Sequence, residues 1–296
     1  MSLNVVRHIV QCLVIALFLS PLVAELLLGI KPGDWWFYGT LSSSTIFGSV
    51  VVVDPFAALE SVAATRQPPT AQLLAGSLVI LLVYGLIRGR VFCGWVCPVN
   101  LILEVVEFIA RPLRRVFKRG RSTDRINRGS RSTDRINKGS RSIDRIDRRT
   151  KIVVAAGVLL LSALCGLPVF EIVSPIGSVY RGLVLGAYVG IWSLLAIVIL
   201  EIFFPGRLWC RKLCPLGGFY QLIGRLGFLS VKSKSGCTAC GTCRSVCIAD
   251  PSILDPVVRG KDNVVRSGDC MLCGKCQGKC PQKLLSTGFN MPFSRK

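Results

Sequence analysis

The sequence predicts an α-helical membrane protein with four transmembrane helices, followed by a small cysteine-rich α+β domain at the C-terminal end. Three observations predict it: four long apolar runs, positive charge gathered on one side of them, and two tight cysteine arrays beyond the last run. Apolar residues make up 51% of the 296, yet the formal net charge is +21. A chain that is both apolar and strongly basic keeps the two characters in separate segments, so one soluble globule is excluded as the reading.

The apolar runs are Ile9–Ile30, Leu73–Ile87 with its flanks, Ile152–Val173 and Leu183–Phe204. Each is near the ~20 residues that a helix needs to cross ~30 Å of hydrocarbon. The first follows Arg7 and contains Val23-Ala24, a passable cleavage context, but it continues through Leu26-Leu27-Leu28 to Ile30. That exceeds the apolar core of a signal peptide, and the run reads as a retained span. Four spans put both termini on one side. Of the 37 Lys and Arg, only Lys31, Arg66 and Arg181 fall on the other side. The positive-inside rule therefore predicts a multi-pass protein with cytoplasmic N- and C-termini.

The chain divides into a first membrane half (1–118), a linker (119–150), a second membrane half (151–228) and the C-terminal domain (229–296). The linker holds three copies of a ten-residue unit, Arg121–Ser130, Arg131–Ser140 and Arg141–Thr150. Recurring glycine and serine argue against a long helix and for a solvated connection. The sharper alternative is a polybasic strip lying on anionic headgroups. No aromatic side chains are interleaved for base stacking, so nucleic acid is not an expected partner.

A second duplication links the membrane halves. Gly89-Arg-Val-Phe-Cys93-Gly-Trp-Val-Cys97-Pro98 follows the second run, and Gly206-Arg-Leu-Trp-Cys210-Arg-Lys-Leu-Cys214-Pro215 follows the fourth. Each half also carries an upstream turn on the outer side, Asp54-Pro55 and Ser174-Pro175. If the motifs are helical, cysteines four apart share a face. Cys93, Cys97, Cys210 and Cys214 could then converge as a further metal centre or a redox-active dithiol; small apolar packing is the alternative. After the first copy, Val99–Phe117 has the pattern of an interfacial helix. Cys12 and Cys165 sit inside apolar runs and read as inert packing residues.

Eight of the 14 cysteines form the C-terminal arrays Cys237-x₂-Cys240-x₂-Cys243-x₃-Cys247 and Cys270-x₂-Cys273-x₂-Cys276-x₃-Cys280-Pro281. Disulfides suit small secreted domains, but these spacings point to thiolate ligation in a reducing compartment. A cubane cluster takes three thiolates from one tight loop and a fourth from elsewhere. Zinc sites are built from separated pairs, whereas a triplet plus a fourth, twice over, suits two [4Fe–4S] clusters in a ferredoxin-like domain. In two-cluster ferredoxins the last cysteine of each run ligates the other cluster. On that pattern Cys237, Cys240, Cys243 and Cys280 hold one cluster, and Cys270, Cys273, Cys276 and Cys247 the other. One departure stands out: Cys280 precedes Pro281, but Cys247 precedes Ile248.

Ionisable groups at the ends of apolar runs are costly and invite a functional reading. Glu25, Glu171, Glu201 and Asp54 are the candidates for accepting a proton from quinol, although each also fits a headgroup-level carboxylate; no quinone-binding residue is singled out. His8 is the one histidine, which rules out paired-histidine haem ligation within this chain.

Taken together, the four runs, Leu41–Thr45 leading to Asp54-Pro55, the twin Cys-x₃-Cys-Pro motifs and the terminal arrays resemble the NapH family. The resemblance covers nearly the whole chain except the decapeptide insert. It implies an iron–sulfur subunit of a quinol dehydrogenase in the bacterial inner membrane, with quinol as substrate. It also implies a periplasmic iron–sulfur partner, NapG-like, a periplasmic reductase for nitrate as the destination, and in some systems a membrane-anchored multihaem cytochrome. Cytoplasmic clusters and a periplasmic acceptor then require a route across the membrane, for which the membrane-half cysteines are the candidates. A maturation or regulatory ferredoxin of the related polyferredoxin group, serving copper-oxidase assembly, nitrous oxide reduction or methylamine utilisation, is the competing reading, and a plain membrane anchor the third.

Overall fold

A computed structural model describes residues 3–119, 147, 149–184, 191–203, 206–234 and 236–290, so nearly all of the decapeptide insert lies outside the described residues. The first apolar run forms helix α1, Leu3–Leu28, the one described helix long and apolar enough to cross a membrane. Three others are apolar but shorter: α3, Ala71–Ile87; α6, Thr150–Cys165; and α9, Ile191–Phe203.

Their boundaries have local causes. The Thr70 hydroxyl accepts from the Leu73 N–H and starts α3. The third run was expected to continue to Val173, but α6 stops at Cys165 and a separate short helix, α7 (Val169–Val173), follows the break. Gly166 takes a left-handed conformation there, with φ of 69° and its N–H on the Ser162 carbonyl, and Pro168 follows without an N–H to continue the ladder. Of the fourth run, Leu183 and Val184 lie in α8, Pro175–Val184, Ile191–Phe203 forms α9, and 185–190 lie outside the described residues. The run counts of the sequence thus give one helix of full length and three shorter ones among the described residues.

Between α1 and α3 the chain forms a three-stranded antiparallel sheet of β1 (Phe37–Gly39), β2 (Ser43–Ile46) and β3 (Val50–Val53), then helix α2, Pro55–Thr65. Helices α2 and α8 start alike. Asp54 accepts from the Phe56 N–H at 3.0 Å, and the Ser174 hydroxyl accepts from the Gly177 N–H at 3.4 Å. Phe56 and Ile176, in the first turns of α2 and α8, lie in one core with Cys97 and Cys214.

Short helix α4 (Val91–Trp95) leads to α5 (Pro98–Arg119), and a π-helical turn (Trp209–Leu213) leads to α10 (Pro215–Ile223). Helix α10 packs on α6 at Gly218, where an added Cβ would overlap the Lys151 carbonyl. Gly218→Val is therefore expected to cost at least the ~1–3 kcal/mol typical of overpacking. Denaturant unfolding of the detergent-solubilised protein measures it, and a wild-type midpoint would show that the helices separate freely.

The C-terminal domain pairs β4 (Leu229–Ser233) with β5 (Leu285–Phe289) antiparallel, Leu229 opposite Phe289. Its core of Val231, Ile253, Leu254, Val265 and Leu285 continues into Ile87, Val91 and Cys93 of the first half, so the domain is docked on the helices rather than tethered to them.

Candidate iron–sulfur and cysteine sites

The two cysteine arrays share a local backbone design. In the first loop Ala239 and Gly241 have φ of 55° and 73°, and in the second Leu272 and Gly274 have 49° and 72°. These left-handed residues fall at equivalent places on either side of Cys240 and Cys273. They curl each Cys-x₂-Cys-x₂-Cys segment around a centre, and glycine takes the second position at no steric cost.

The structure gathers the eight cysteines into two groups. Cys237, Cys240, Cys243 and Cys280 line one pocket. Burial, then the nearby Cys270, Cys273 and Cys247 and last Cys243 of the first group, resist ionisation of Cys276. Burial, then Cys273 and Cys270, push the Cys247 thiol up to about 12. The groups differ in exposure, because Cys237 and Cys240 are exposed whereas Cys270 is buried. After Cys247, where proline is missing, Ile248 is buried in the core, and Asp250 caps the 3₁₀ turn Pro251–Leu254. Among the described residues no three His, Cys, Asp or Glu converge on a single metal ion.

The twin motifs are not each one helix face, as the spacing suggested. Cys93 lies within α4, whereas Cys97 stands just before α5; Cys210 lies within the π turn, and Cys214 caps α10. The Asn100 N–H donates to the Cys97 thiol and the Gly217 N–H to Cys214 Sγ, the latter at 3.4 Å. Each second cysteine is thus set at a helix start where backbone N–H groups favour a thiolate. Burial and the nearby Cys93 nevertheless push Cys214 up to about 11.

The two arginines of the repeat cross over and bind the halves together. Arg90 Nη2 donates to the Cys210 carbonyl at 2.9 Å, and Arg207 Nη1 donates to Asn100 Oδ1 at 2.6 Å. Cys97 and Cys214 are buried in one apolar cluster with Tyr220 and Phe92, and Cys93 and Cys210 pack against it.

Both motifs also grip the C-terminal domain beside the second cysteine group. Arg88 donates to the carbonyls of Leu229, Val265 and Ser267 and to the Ser230 hydroxyl. Arg90 donates to Asp269 at 2.9 Å, Lys151 pairs with the same carboxylate, and Trp95 Nε1 donates to the Leu272 carbonyl at 3.2 Å. From the other half, Arg211 donates to the carbonyls of Ala249 and Cys247, and Lys212 pairs with Asp250 at 3.2 Å. A third tie runs through Glu104 of α5, which accepts from Arg7 of α1 at 2.7 Å and from Lys275 beside Cys276. Burial opposes its ionisation, but the Arg7 and Lys275 bonds hold its carboxyl down to about 2.

Among the predicted carboxylates the structure discriminates. Glu25 is exposed, Glu171 is paired with Arg181, and Glu201 accepts from the Trp209 N–H at 3.0 Å. Asp54 is buried with neutral donors alone, the Phe56 N–H and the Tyr220 hydroxyl at 3.2 Å. It borders a cavity with room for about one water, together with Ser42, Glu171, Phe92 and Leu216. Burial pushes the Asp54 carboxyl up to about 7, against the pull of its two donors. Cys12 and Cys165 do not pack inside; both are exposed.

Comparison with known proteins now decides the family. Methylamine utilization ferredoxin-type protein MauN of Methylorubrum extorquens is 32% identical over 93% of this chain and 85% of its own length. Ferredoxin-type protein NapH of Escherichia coli is 30% identical over 95% of this chain and 88% of its own length. The chain belongs to the NapH/MauN family of ferredoxin-type proteins. MauN of Paracoccus denitrificans is likewise 33% identical, over 84% of this chain and 79% of its own length. A family model described as a 4Fe-4S binding domain matches twice, at residues 71–119 and 187–234. Each match contains one Cys-x₃-Cys-Pro motif, and the second ends before Cys237. No solved structure matches the chain.

For this NapH/MauN chain, the sequence reading missed Arg88, Arg90, Lys151 and Asp269. The Gly-Arg doublets at Gly89 and Gly206, and an acid next to Cys270, were the signals available. Nothing local marked them as partners, because Arg90 and Asp269 are 179 residues apart.

Proposed function

We propose that this chain is the membrane iron–sulfur subunit of a quinol dehydrogenase, drawing electrons from membrane quinol for delivery toward a periplasmic reductase. The observation that carries the reading is the joining of both Cys-x₃-Cys-Pro motifs to the loops of Cys270 and Cys247 by buried arginines and lysines. Cys237, Cys240, Cys243 and Cys280 would hold one [4Fe–4S] cluster, and Cys270, Cys273, Cys276 and Cys247 the other; such clusters supply one-electron redox chemistry when bound. Cys93, Cys97, Cys210 and Cys214 form a further redox or metal-binding site between membrane and clusters.

Reading the four apolar runs as four crossings, we place the chain as multi-pass in the bacterial inner membrane with both termini cytoplasmic. Polar Arg7, Gln11, Glu60 and Ser162 are buried, whereas Leu13, Leu78, Leu82 and Leu164 face outward at 53–70% exposure. Such an inside-out distribution suits helices solvated by lipid. Helix α3, with 17 residues, is at the short end of the ~17–25 that span.

Oxidising one quinol to quinone releases two electrons and two protons. In this reading the Asp54 carboxylate takes the first proton, the second leaves to water, and the two electrons pass one each to the two clusters. A base must be ionised to act, so quinol-dependent reduction is expected to rise with pH through about 7. Asp54→Asn should flatten that rise and slow reduction by roughly 10²-fold. Tyr220, Tyr84 and Glu171 face the same group, and an unchanged profile in Asp54→Asn would move the proton to one of them.

Anaerobic EPR of the purified full-length protein tests the whole reading. Two interacting reduced [4Fe–4S] signals are expected with a strong reductant, and quinol-dependent reduction with the periplasmic partner present. Absence of the two signals overturns the cluster ligation, and absence of quinol dependence overturns the dehydrogenase role. The destination has a second reading, methylamine utilisation, favoured by the 32–33% identity to MauN. Co-purification with a nitrate-reducing or an amine-oxidising system separates the two.

A further inference from the structure

The two cysteine groups sit in different electrostatic surroundings. Arg88, Arg90 and Lys151, none more than 2% exposed, are buried around the Asp269-Cys270 step, and one carboxylate, Asp269, pairs with Arg90 and Lys151. All four Arg88 hydrogen bonds go to neutral oxygens, so its charge stays whole. Both Arg88 and Arg90 lie near enough to Cys270 to favour its thiolate. Buried positive charge in such excess is costly unless an anionic group completes the site. Around the other group no such cage exists among the described residues: Cys237 and Cys240 are exposed, and the loop's own cation, Arg244, is 42% exposed and paired with Asp255 at 2.9 Å.

We propose that Arg88 and Arg90, with Lys151, are positioning residues that set the reduction potential of the group held by Cys270, Cys273, Cys276 and Cys247 above that of the group held by Cys237, Cys240, Cys243 and Cys280. The inference rests on the cluster ligation proposed above. Reduction adds one negative charge, and a fixed cation in a low-dielectric interior favours the reduced form. Burial alone works the other way, because the exposed group has water to solvate the added charge. The cations decide: three against one carboxylate, with screening by solvent weakest where they sit. The group pressed against the membrane half is thus the one that holds an electron at equilibrium.

An EPR-monitored redox titration of the full-length protein in detergent tests this without reference to turnover. Two midpoints are expected in the wild type, the higher altered by Cys273→Ser and the lower by Cys240→Ser. Arg88→Gln should lower the upper midpoint by at least a tenfold change in the reduced-to-oxidised ratio, ~59 mV for one electron. Arg88→Lys should restore most of it, since the charge rather than the hydrogen bonds is what acts. If Arg88→Gln fails to fold with its clusters, Lys151→Met reads the same downward shift. An upper midpoint that answers to Cys240→Ser, or that stays in place in both neutralised variants, overturns the proposal. Fewer than two [4Fe–4S] signals in the wild type overturns instead the ligation on which it rests.

Discussion

Asp269→Ala is expected to destabilise the protein by on the order of 3–5 kcal/mol, the cost of leaving buried charges without their partner. Asp269 has no solvent exposure and collects Arg90 at 2.9 Å, Lys151, and Gln221 Nε2 at 2.9 Å. Those three partners come from α4's leading edge, the start of α6 and α10, so one carboxylate closes the seam between both membrane halves and the C-terminal domain. Removing it turns an ion triad into two like charges with no water to separate them. The control is Asp262→Ala. That residue pairs with Arg266 at 2.7 Å, but on a surface where both side chains are 28–40% exposed. Solvent screening should hold its cost to ~0–1 kcal/mol. Denaturant midpoints for the two variants, measured with clusters intact, check the contrast. Equal midpoints would mean that the buried triad contributes no more than a surface pair.

The contrast also shows what could be read along the chain and what could not. Apolar patterning is a local property, and it served well: α1, α3 and α5 overlap the runs Ile9–Ile30 and Leu73–Ile87 and the patterned stretch Val99–Phe117. The Cys-x₂-Cys spacing is local too, and the repeated left-handed residues at Ala239 and Leu272 give its backbone form. The division of the third run was written in Gly166-Leu167-Pro168, but apolar composition hid it, since hydropathy sees the side chains and not the broken ladder. The cation cage was beyond local reading. Arg88 and Arg90 looked like the flanking charges of a span, and only the docked domain buries them. Asp54 was among the carboxylates named from the sequence, but its burial against Tyr220, 166 residues away, was not legible locally. What local chemistry does not encode is which charged residues end up without water.

Replacing Cys93 and Cys210 together by serine is expected to reduce quinol-dependent cluster reduction by more than tenfold, with the chemically reduced EPR signals unchanged. Cys93 packs against both the core of the C-terminal domain and the core of the membrane half, the one cysteine of the four among the partners of both. Arg90 hydrogen-bonds its thiol while reaching the Cys210 carbonyl and Asp269, so one guanidinium spans both motifs and the residue before Cys270. Serine preserves size and hydrogen bonding to within a hydroxyl, so loss of packing costs little and folding should survive. What serine lacks is a soft sulfur able to ligate a metal or form a disulfide. Loss of quinol-linked reduction with intact clusters would therefore assign electron passage to the motif thiols. Wild-type rates in the double variant would instead make the four cysteines packing residues at the seam, and the electron route would have to run past Phe92 and Tyr220, whose stacked rings at 5.6 Å occupy the same cleft.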